Sequence, residues 1–229
     1  MRAGYLDQRV GERSQRGGAQ IVPRPNVWLQ VDTVPWGHVN QVDCEDIRSV
    51  VDAQGRPLEP QFDGARHAAV LVVLAPGARG MEVLLTRRSQ HLRQHRGEMS
   101  FPGGKMDAGE TPEQTALREA HEEVGLDPAV VEVIGELSHV NTAVSLSYII
   151  PKVAIIEHPI PLQPQTGEAD RVMWVPLDEL LQPGVYHGEL WGTPPTERLL
   201  HFFELSDETV WGATGRMLAD LFCRLFPHH

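Results

Sequence analysis

A short helix with signals at both ends constrains the fold of this chain more than any other feature. Thr111 is a good N-cap residue, Pro112 suits the first helical position, and Gln114 completes a capping box. Gly125 stands where a glycine commonly ends a helix in the left-handed conformation. The segment therefore predicts a helix over residues 112–124, against which its neighbours in the fold must pack.

Three carboxylates share one side of this predicted helix. Glu119, Glu122 and Glu123 stand at i, i+3 and i+4, so they lie within an arc of roughly 100°. The apolar stripe beside them consists of Ala116, Leu117, Ala120 and Val124. Like charges at this spacing repel, and a hard divalent cation would relieve the repulsion. Arg118 could relieve part of it without a metal, so a solvated acidic face stays open as an alternative.

Two apolar segments ahead of the helix predict paired strands. Residues 68–74 form a continuous apolar run that stops at Pro76, which suits a strand buried on both faces. Residues 81–85 follow across a glycine-containing connection and could pair with it. Further strands are predicted over 131–140, 146–156, 172–175 and 198–205, and further helices over 45–51, capped by Asp43, and over 209–226. This mixture predicts an α/β sandwich.

Composition places the chain among soluble globular proteins and excludes several classes of function. Its 229 residues are 41% hydrophobic and 22% charged, which supplies enough apolar material for a sizeable core. The net charge of −11 argues against non-specific partners such as nucleic acid or an anionic membrane, although a basic patch or a metal can reverse the sign locally. Two cysteines exclude a disulfide scaffold and a four-cysteine zinc site.

Changes in composition along the chain predict its domain organisation. Residues 1–26 are polar and rich in Gly, Arg and Gln, which predicts a disordered leader. Residues 27–63 are interpreted as an N-terminal extension and residues 64–226 as one domain. The longest apolar run is too short to span a bilayer, and the first 30 residues lack the apolar region of a secretory signal. We therefore expect a cytoplasmic protein.

The residue order around the helix resembles a known family signature. Residues 104–126 place Gly104, Glu110 and the run Arg118-Glu119-Ala120-His121-Glu122-Glu123-Val124-Gly125-Leu126 at the spacing of the Nudix hydrolase motif, G-x5-E-x7-R-E-U-x-E-E-x-G-U. Ala120 is the one departure, because it is small where the motif has a bulky aliphatic residue. The resemblance implies an α/β/α sandwich with a mixed central sheet and the carboxylate helix packed against it.

The same resemblance implies roles for individual residues. Glu119 and Glu123 would ligate Mg²⁺ or Mn²⁺, and Glu122 would ligate the metal as well, act through water, or serve as general base. Arg118 and Glu110 would pair to hold the loop against the helix. For each glutamate the alternative is that it orders the loop and touches no metal, and Glu110 fits that alternative best.

A basic segment adjoins the acidic helix. Residues 84–105 hold five Lys and Arg residues against one Glu, and residues 107–127 hold seven acids against one Arg. Such a layout suits the clamping of a polyanion beside a metal site, because arginine makes bidentate contacts with phosphate. A solvated basic loop that offsets the acidic helix is the alternative reading of the charge alone.

This basic segment is similar to an additional signature of the coenzyme A pyrophosphatase subgroup, L-L-T-x-R-[SA]-x3-R-x3-G-x3-F-P-G-G. Every fixed position is matched, by Leu84, Leu85, Thr86, Arg88, Ser89, Arg93, Gly97, Phe101, Pro102, Gly103 and Gly104. The resemblance implies hydrolysis of coenzyme A or acyl-coenzyme A to 3′,5′-ADP and 4′-phosphopantetheine or its acylated form. Arg88, Arg93, Gly103 and Gly104 would bind this small-molecule substrate, with Arg88 or Arg93 on its 3′-phosphate.

Several alternatives remain open at this point. The substrate could be another nucleoside diphosphate derivative such as NADH or ADP-ribose, or the chain could sense a nucleotide without hydrolysing it. A homodimer is also possible. Nudix enzymes often supply a further carboxylate from a loop, which makes Glu168 a candidate catalytic residue, with an ordinary surface acid as the alternative. The histidines show no zinc spacing, and Cys44 and Cys223 are expected to be buried or inert.

Overall fold

The computed structural model describes residues 22, 24–31, 33–56, 63–92, 94–142 and 146–228. Most of the predicted leader therefore lies outside the described residues. The helices are α1 (Cys44–Val50), α2 (Pro112–Val124), α3 (Leu177–Leu180) and α4 (Gly212–Leu225). The strands are β1 (Trp28–Val31), β2 (Arg66–Gly77), β3 (Gly80–Arg88), β4 (Met99–Ser100), β5 (Gly103–Lys105), β6 (Glu132–Glu136), β7 (Val140–Thr142), β8 (Ser147–Ile155), β9 (Ala169–Pro176), β10 (Tyr186–Trp191), β11 (Arg198–Glu204) and β12 (Thr209–Val210).

The larger sheet is mixed and is organised around β2. Its main path runs β4-β3-β2-β8-β6, with β5 added to β2, β7 to β8 and β9 to β3. β2 pairs in parallel with β8 and antiparallel with β3 and β5. The pairing with β5 sets Gly103 opposite Val70 and Gly104 opposite Ala69. The glycine-rich segment is therefore held at the sheet, beside the helix that follows it.

Helices cover both faces of this sheet. On one face α2 packs through Ala116, Ala120 and Val124 onto alternate residues of β2, including Leu71 and Val73. On the other face α1, α3 and α4 pack over a larger core. That core includes Val72, Leu74, Val83, Leu85, Leu180, Leu218 and Phe222. The predicted α/β/α sandwich with a mixed central sheet and a packed carboxylate helix is confirmed.

A second sheet of four strands, in the order β1-β10-β11-β12, borders the same core. β1 pairs antiparallel with β10, so that Trp28 lies opposite Trp191. Part of the predicted extension thus joins this sheet, and Ile47 of α1 packs into the core. The division of the chain at residue 64 stays a prediction. No helix among the described residues is long and apolar enough to cross a membrane.

Two predicted elements differ from those in the structure. The strand predicted over 131–140 is divided into β6 and β7, because Ser138 between them donates its N–H to Asp220 of α4 (2.9 Å) rather than to a neighbouring strand. The helix predicted over 209–226 starts only at Gly212, because Thr209 and Val210 pair with β11 as β12. The helix predicted near 45–51 forms as α1, with Asp43 as its N-cap.

Candidate active site

The capping residues predicted for α2 form hydrogen bonds at both ends of the helix. The Thr111 hydroxyl accepts the Gln114 N–H (3.2 Å), and the Gln114 side chain accepts the Thr111 N–H (2.9 Å). Gly125 has φ 75°, and its N–H donates to the carbonyl of His121 (2.9 Å). These contacts set the start and the end of the helix, and with them the direction in which each glutamate points.

Glu123 is the most deeply placed of the three helix carboxylates. Only 5% of the residue is exposed, and its Oε2 accepts the N–H of Gly103 at 3.2 Å. Burial raises the pKa of Glu123 to about 7, although the Gly103 hydrogen bond and the charge of Arg88 act in the opposite direction. A carboxylate held in this way is poorly solvated, and a cation would stabilise its charged form.

Glu119 lies next to Glu123 and close to the glycine-rich segment. Its carboxylate accepts a hydrogen bond from Arg118 Nη1 at 2.9 Å, and burial raises its pKa against the influence of that guanidinium. A Cβ atom at Gly104 would lie 2.6–2.7 Å from the Glu119 carboxyl group. A Cβ atom at Gly103 would lie 2.4 Å from the carbonyl oxygen of Ala69. Gly103 is therefore needed for the close approach of this backbone to the sheet, whereas a side chain at Gly104 would displace the carboxyl group of Glu119.

Glu168 joins this group from the loop that leads into β9. Its charge raises the pKa of both Glu119 and Glu123, so the three carboxylates are electrostatic neighbours. The Glu168 carbonyl oxygen accepts the N–H of Ser89 at 2.7 Å, which ties this loop to the end of β3. The structure thus brings together residues that are 45 to 49 positions apart in the chain.

Arg88 is a second cationic side chain of the cluster, in addition to Arg118. Its charge lowers the pKa of Glu123, as expected of a guanidinium nearby. Its Nε is buried and has no hydrogen-bond partner among the residues that the structure describes. Arg93 lies outside those residues, so its predicted role at the substrate stays a prediction.

Glu122 sits at the rim of the group. Its side chain is 52% exposed and accepts a hydrogen bond from Arg118 Nη1 at 3.1 Å. The same nitrogen also binds Glu119, so Arg118 bridges two of the three helix carboxylates. Glu122 raises the pKa of Glu119 through its charge. Glu122 thus differs from Glu123 in exposure, a difference that the sequence spacing alone does not predict.

Glu110 is held by partners within its own loop and helix. It accepts hydrogen bonds from Arg118 Nε (2.7 Å), the Thr115 hydroxyl (2.7 Å) and the Asp107 N–H (3.0 Å). These contacts, with Arg118 first among them, lower the pKa of Glu110 to about 2. Glu110 and Arg118 are therefore placed to fasten the loop to α2, and the oxygens of Glu110 are already used.

The carboxylates of this group are the candidate ligands for a divalent cation. Across the described ranges, no three His, Cys, Asp or Glu side chains already stand as a set of metal ligands. The donor chemistry nevertheless suits Mg²⁺ or Mn²⁺, because Glu119 and Glu123 offer hard oxygens whose charged forms are disfavoured by burial. Arg118 donates a hydrogen bond to one oxygen of Glu119, so the guanidinium and a cation would share this carboxylate.

Other candidate groups lie elsewhere or have a structural contact. His121 is exposed, and His95 Nδ1 lies 2.8 Å from Glu98 Oε2 in the loop after β3.

The two cysteines have structural contacts. Cys44 is half-buried beside Met81, and the Cys223 thiol donates a hydrogen bond to the carbonyl of Pro35 at 3.2 Å. Burial raises the pKa of both thiols, which disfavours the reactive thiolate.

Ser89 has a place in the site that sequence reasoning did not assign. It is buried, and its N–H holds the loop of Glu168. The available signal was the fixed Ser or Ala of the upstream motif, because a small residue at that position suits a buried site where two segments of the chain meet.

Comparisons with known proteins agree with this geometry. The family model described as the NUDIX domain matches residues 65–207. The chain is 37% identical to the uncharacterized Nudix hydrolase NudL of Escherichia coli O6:H1 over 175 residues, which cover 72% of this chain and 87% of NudL. It is 38% identical to the mouse peroxisomal coenzyme A diphosphatase NUDT7 over 142 residues, which cover 61% of this chain and 59% of that protein.

A solved structure shows the same fold. The crystal structure of a MutT/nudix family protein from Enterococcus faecalis matches with a TM-score of 0.50 and 19% identity, covering 73% of this chain and 64% of that one. The carboxylates of α2, the glycine-rich segment and the matched family model together lead to one assignment. The chain belongs to the Nudix hydrolase family.

Proposed function

We propose that this Nudix hydrolase cleaves the diphosphate bond of coenzyme A or an acyl-coenzyme A in a metal-dependent reaction. The observation that carries the proposal is the position of Arg88. Its charge acts on the buried carboxylate Glu123, yet its buried Nε has no partner among the described residues. A guanidinium with a free donor beside a carboxylate cluster suits an anionic substrate that lies against a cation. The likeness to mouse coenzyme A diphosphatase supports this substrate class.

Nudix hydrolases generally use divalent metals such as Mg²⁺ or Mn²⁺ and act on small molecules. In this proposal Glu119 and Glu123 hold the cation, and Glu122 contributes directly or through water. When bound, the cation neutralises charge on the diphosphate oxygens and lowers the pKa of a bound water. In this proposal Gly103 and Gly104 also contact the substrate, because they hold the backbone beside Glu119 and β2, where a Cβ atom at either position would meet the Glu119 carboxyl group or the Ala69 carbonyl oxygen.

In the proposed reaction a carboxylate accepts the proton of the attacking water, and two residues are candidates for this role. Both are exposed, and they come from different elements, because Glu122 lies on α2 and Glu168 lies on the loop before β9. We propose both as candidates. The general base is the residue whose replacement by glutamine lowers kcat by about 10²-fold or more while leaving metal affinity unchanged. A glutamine variant that weakens Mn²⁺ binding instead identifies a ligand.

The proposed contact with the 3′-phosphate can be tested with paired substrates. Rates are measured for coenzyme A and for its 3′-dephospho analogue in Arg88→Ala, Arg93→Ala and the control Arg96→Ala, whose side chain lies on the exposed part of the same loop. A residue that binds the 3′-phosphate loses kcat/KM for coenzyme A only. Equal losses on both substrates in Arg88→Ala and Arg93→Ala would refute this assignment.

The substrate proposal has two competitors, a Nudix hydrolase of NADH or ADP-ribose and a nucleotide sensor without turnover. A panel of coenzyme A, acetyl-coenzyme A, NADH and ADP-ribose with Mg²⁺ distinguishes them by kcat/KM. The proposal expects the highest value on a coenzyme A species. Highest turnover of NADH or ADP-ribose supports the first competitor, and binding without turnover under several metals supports the second.

We also propose that the protein works in the cytoplasm, whereas a homodimer and a monomer both stay open. Sedimentation of the purified chain tests the second point directly, since a homodimer doubles the mass of 25.5 kDa.

A further inference from the structure

Arg88, the last residue of β3, and Glu168, which immediately precedes β9, lie at the same irregular point of the large sheet. Along the antiparallel pair β3 and β9, Thr86 lies opposite Val172 and Arg87 opposite Arg171. The next pair is Arg88 opposite Ala169, so the register shifts between Arg87 and Arg88. Asp170 is the additional residue on β9, as in a β-bulge.

This register shift determines which residue of β9 lies opposite Arg88 beside the carboxylate cluster. In a regular ladder Arg88 would face Asp170, whereas here it faces the small, buried Ala169. Glu168 follows at once, and its carbonyl oxygen accepts the Ser89 N–H at 2.7 Å. The separation between Arg88 and Glu168 therefore depends on the shifted register being kept.

A cluster of charges holds this point from the opposite face of the sheet. Because alternate residues of a strand point to opposite faces, Arg87 lies on the side away from Arg88. There Glu208 accepts hydrogen bonds from Arg87 Nη1 (3.0 Å) and from Arg171 Nη1 (2.7 Å). Arg87 Nε also binds the bulge residue Asp170 (2.6 Å).

Glu208 belongs to a different part of the fold. It immediately precedes β12 of the four-stranded sheet, and its carbonyl oxygen accepts the N–H of Leu205 at 2.9 Å. Only 3% of Glu208 is exposed. It lies one residue beyond residues 65–207, the part matched by the NUDIX family model. Removing a carboxylate from water costs free energy, and its attraction to the two arginines offsets that cost only when the ion pairs have good geometry. We therefore expect the positions of Arg87, Arg171 and Glu208 to be well defined.

We propose that Arg87, Arg171 and Glu208 form a positioning clamp that keeps the β3–β9 register shift and thereby sets Arg88 and Glu168 at the distance that catalysis needs. None of the three is a catalytic residue, because they act from the other face of the sheet. The clamp rests on the proposed function only in assuming that Arg88 and Glu168 serve the reaction.

The variant that tests the clamp is Glu208→Gln. The neutral amide keeps the size of the side chain but removes the charge that unites the two arginines. Arg87 retains Asp170 and Arg171 retains Asp207 at 2.7 Å, so we expect the protein to fold.

The matched control is Glu189→Gln in the four-stranded sheet. Glu189 is also a buried carboxylate, 0% exposed, and it is paired with an arginine, Arg24, at 2.7 Å. Any general effect of replacing a buried, arginine-paired glutamate by glutamine appears equally in both variants. An effect of the clamp appears in Glu208→Gln alone.

Two measurements are made on both variants in the full-length chain. The first is hydrogen exchange of the segments 88–92 and 163–169, which needs no substrate. We expect Glu208→Gln to speed exchange there by about tenfold, corresponding to about 1.4 kcal/mol of lost local stability, while Glu189→Gln leaves it unchanged.

The second measurement is steady-state kinetics on whichever diphosphate the wild type hydrolyses fastest. We expect kcat to fall by about 10²-fold in Glu208→Gln with KM changed less than about threefold.

Unchanged exchange in Glu208→Gln overturns the clamp, and so does an equal increase in Glu189→Gln. Faster exchange with an unaltered kcat also overturns it, since the register would then be irrelevant to catalysis. A wild type that hydrolyses ADP-ribose instead of coenzyme A overturns the proposed substrate alone, because both measurements on the clamp can still be made.

Discussion

Glu122 and Glu123 are neighbours in the chain, yet the fold gives them opposite surroundings. Glu123 faces the sheet and hydrogen-bonds to Gly103, whereas Glu122 is exposed and paired with Arg118. The spacing on the helix predicts that both point to one side, because an arc of roughly 100° includes them. The spacing does not indicate which of the two carboxylates is buried and loses its hydration. That difference arises from β5, which lies against one edge of the arc only.

Replacing Glu123 by glutamine tests the role of the buried carboxylate. We expect Glu123→Gln to lower kcat by about 10²-fold or more, because a neutral amide is a poor ligand for a hard cation. The fold should remain, since the amide has nearly the same size and no charge to desolvate. The control is Glu113→Gln in the first turn of the same helix, where the side chain is 52% exposed. Near-normal turnover of Glu123→Gln, measured beside a normal Glu113→Gln, would contradict the assignment.

His201 makes the stability of the fold depend on pH. Burial, with a smaller contribution from Arg216, lowers its pKa from 6.5 to about 4. The unfolded chain therefore binds a proton near pH 6.5 while the native chain does not. Stability that is complete above pH 6.5 is lost as the pH falls toward 4, at up to about 1.4 kcal/mol per pH unit.

Urea unfolding at several pH values between 7 and 4.5 measures this dependence. We expect His201→Gln to have a shallower slope of free energy of unfolding against pH than the wild type. His158→Gln, at an exposed position, should keep the wild-type slope. Parallel slopes in the wild type and His201→Gln would show that His201 is protonated equally in both states.

Among the helices and strands, those set by local sequence signals were predicted from the sequence. Features that depend on contacts between distant parts of the chain were not. The bounds of α2 follow from Thr111 and Gly125, which act on residues within one turn. The hairpin of β2 and β3 follows likewise from a short connection. β10 was not predicted, because its buried Glu189 depends on Arg24, which is 165 residues away in the chain. Glu208 was missed for the same reason, since Arg87 lies 121 residues before it.

The C-terminal glycine of α2 offers a test at this scale. Gly125 has φ 75°, and an added Cβ would also lie 3.0 Å from the Gln165 side chain. We expect Gly125→Ala to lower the free energy of unfolding by about 1–2 kcal/mol. Gly167→Ala, where an added Cβ meets nothing within 4 Å, should change it much less. Equal urea midpoints for the two variants would contradict this account of the helix end.

For the whole molecule, the N-terminal residues described here are part of the packed structure. Arg24 binds the fully buried Glu189 through three hydrogen bonds of 2.7–3.0 Å and lies over the ring of Trp28. β1 then completes the edge of the four-stranded sheet. Residues before position 64 therefore contribute to the packing, and the division of the chain at that position stays a prediction. Net charge also says little about the site, because acidic and basic segments meet there.

Two arginines with equal exposure allow this packing to be tested. The side chains of Arg24 and Arg48 are both 33% exposed, but their partners Glu189 and Glu132 are 0% and 61% exposed. We expect Arg24→Met to cost about 2 kcal/mol in urea unfolding, because it leaves a buried carboxylate without its cation. Arg48→Met should cost clearly less, since water solvates Glu132. A cost for Arg24→Met no larger than that for Arg48→Met would contradict a structural role for this segment.

We propose above all that the carboxylates of α2, with Arg88 and Glu168, serve the hydrolysis of the diphosphate of a coenzyme A species. The most direct test incubates the purified protein with coenzyme A and Mg²⁺ and identifies the products by mass spectrometry. We expect 3′,5′-ADP and 4′-phosphopantetheine in equal amounts, and none when Mg²⁺ is removed by a chelator. Intact coenzyme A after incubation with Mg²⁺ or Mn²⁺, from protein that is folded by circular dichroism, would contradict the claim.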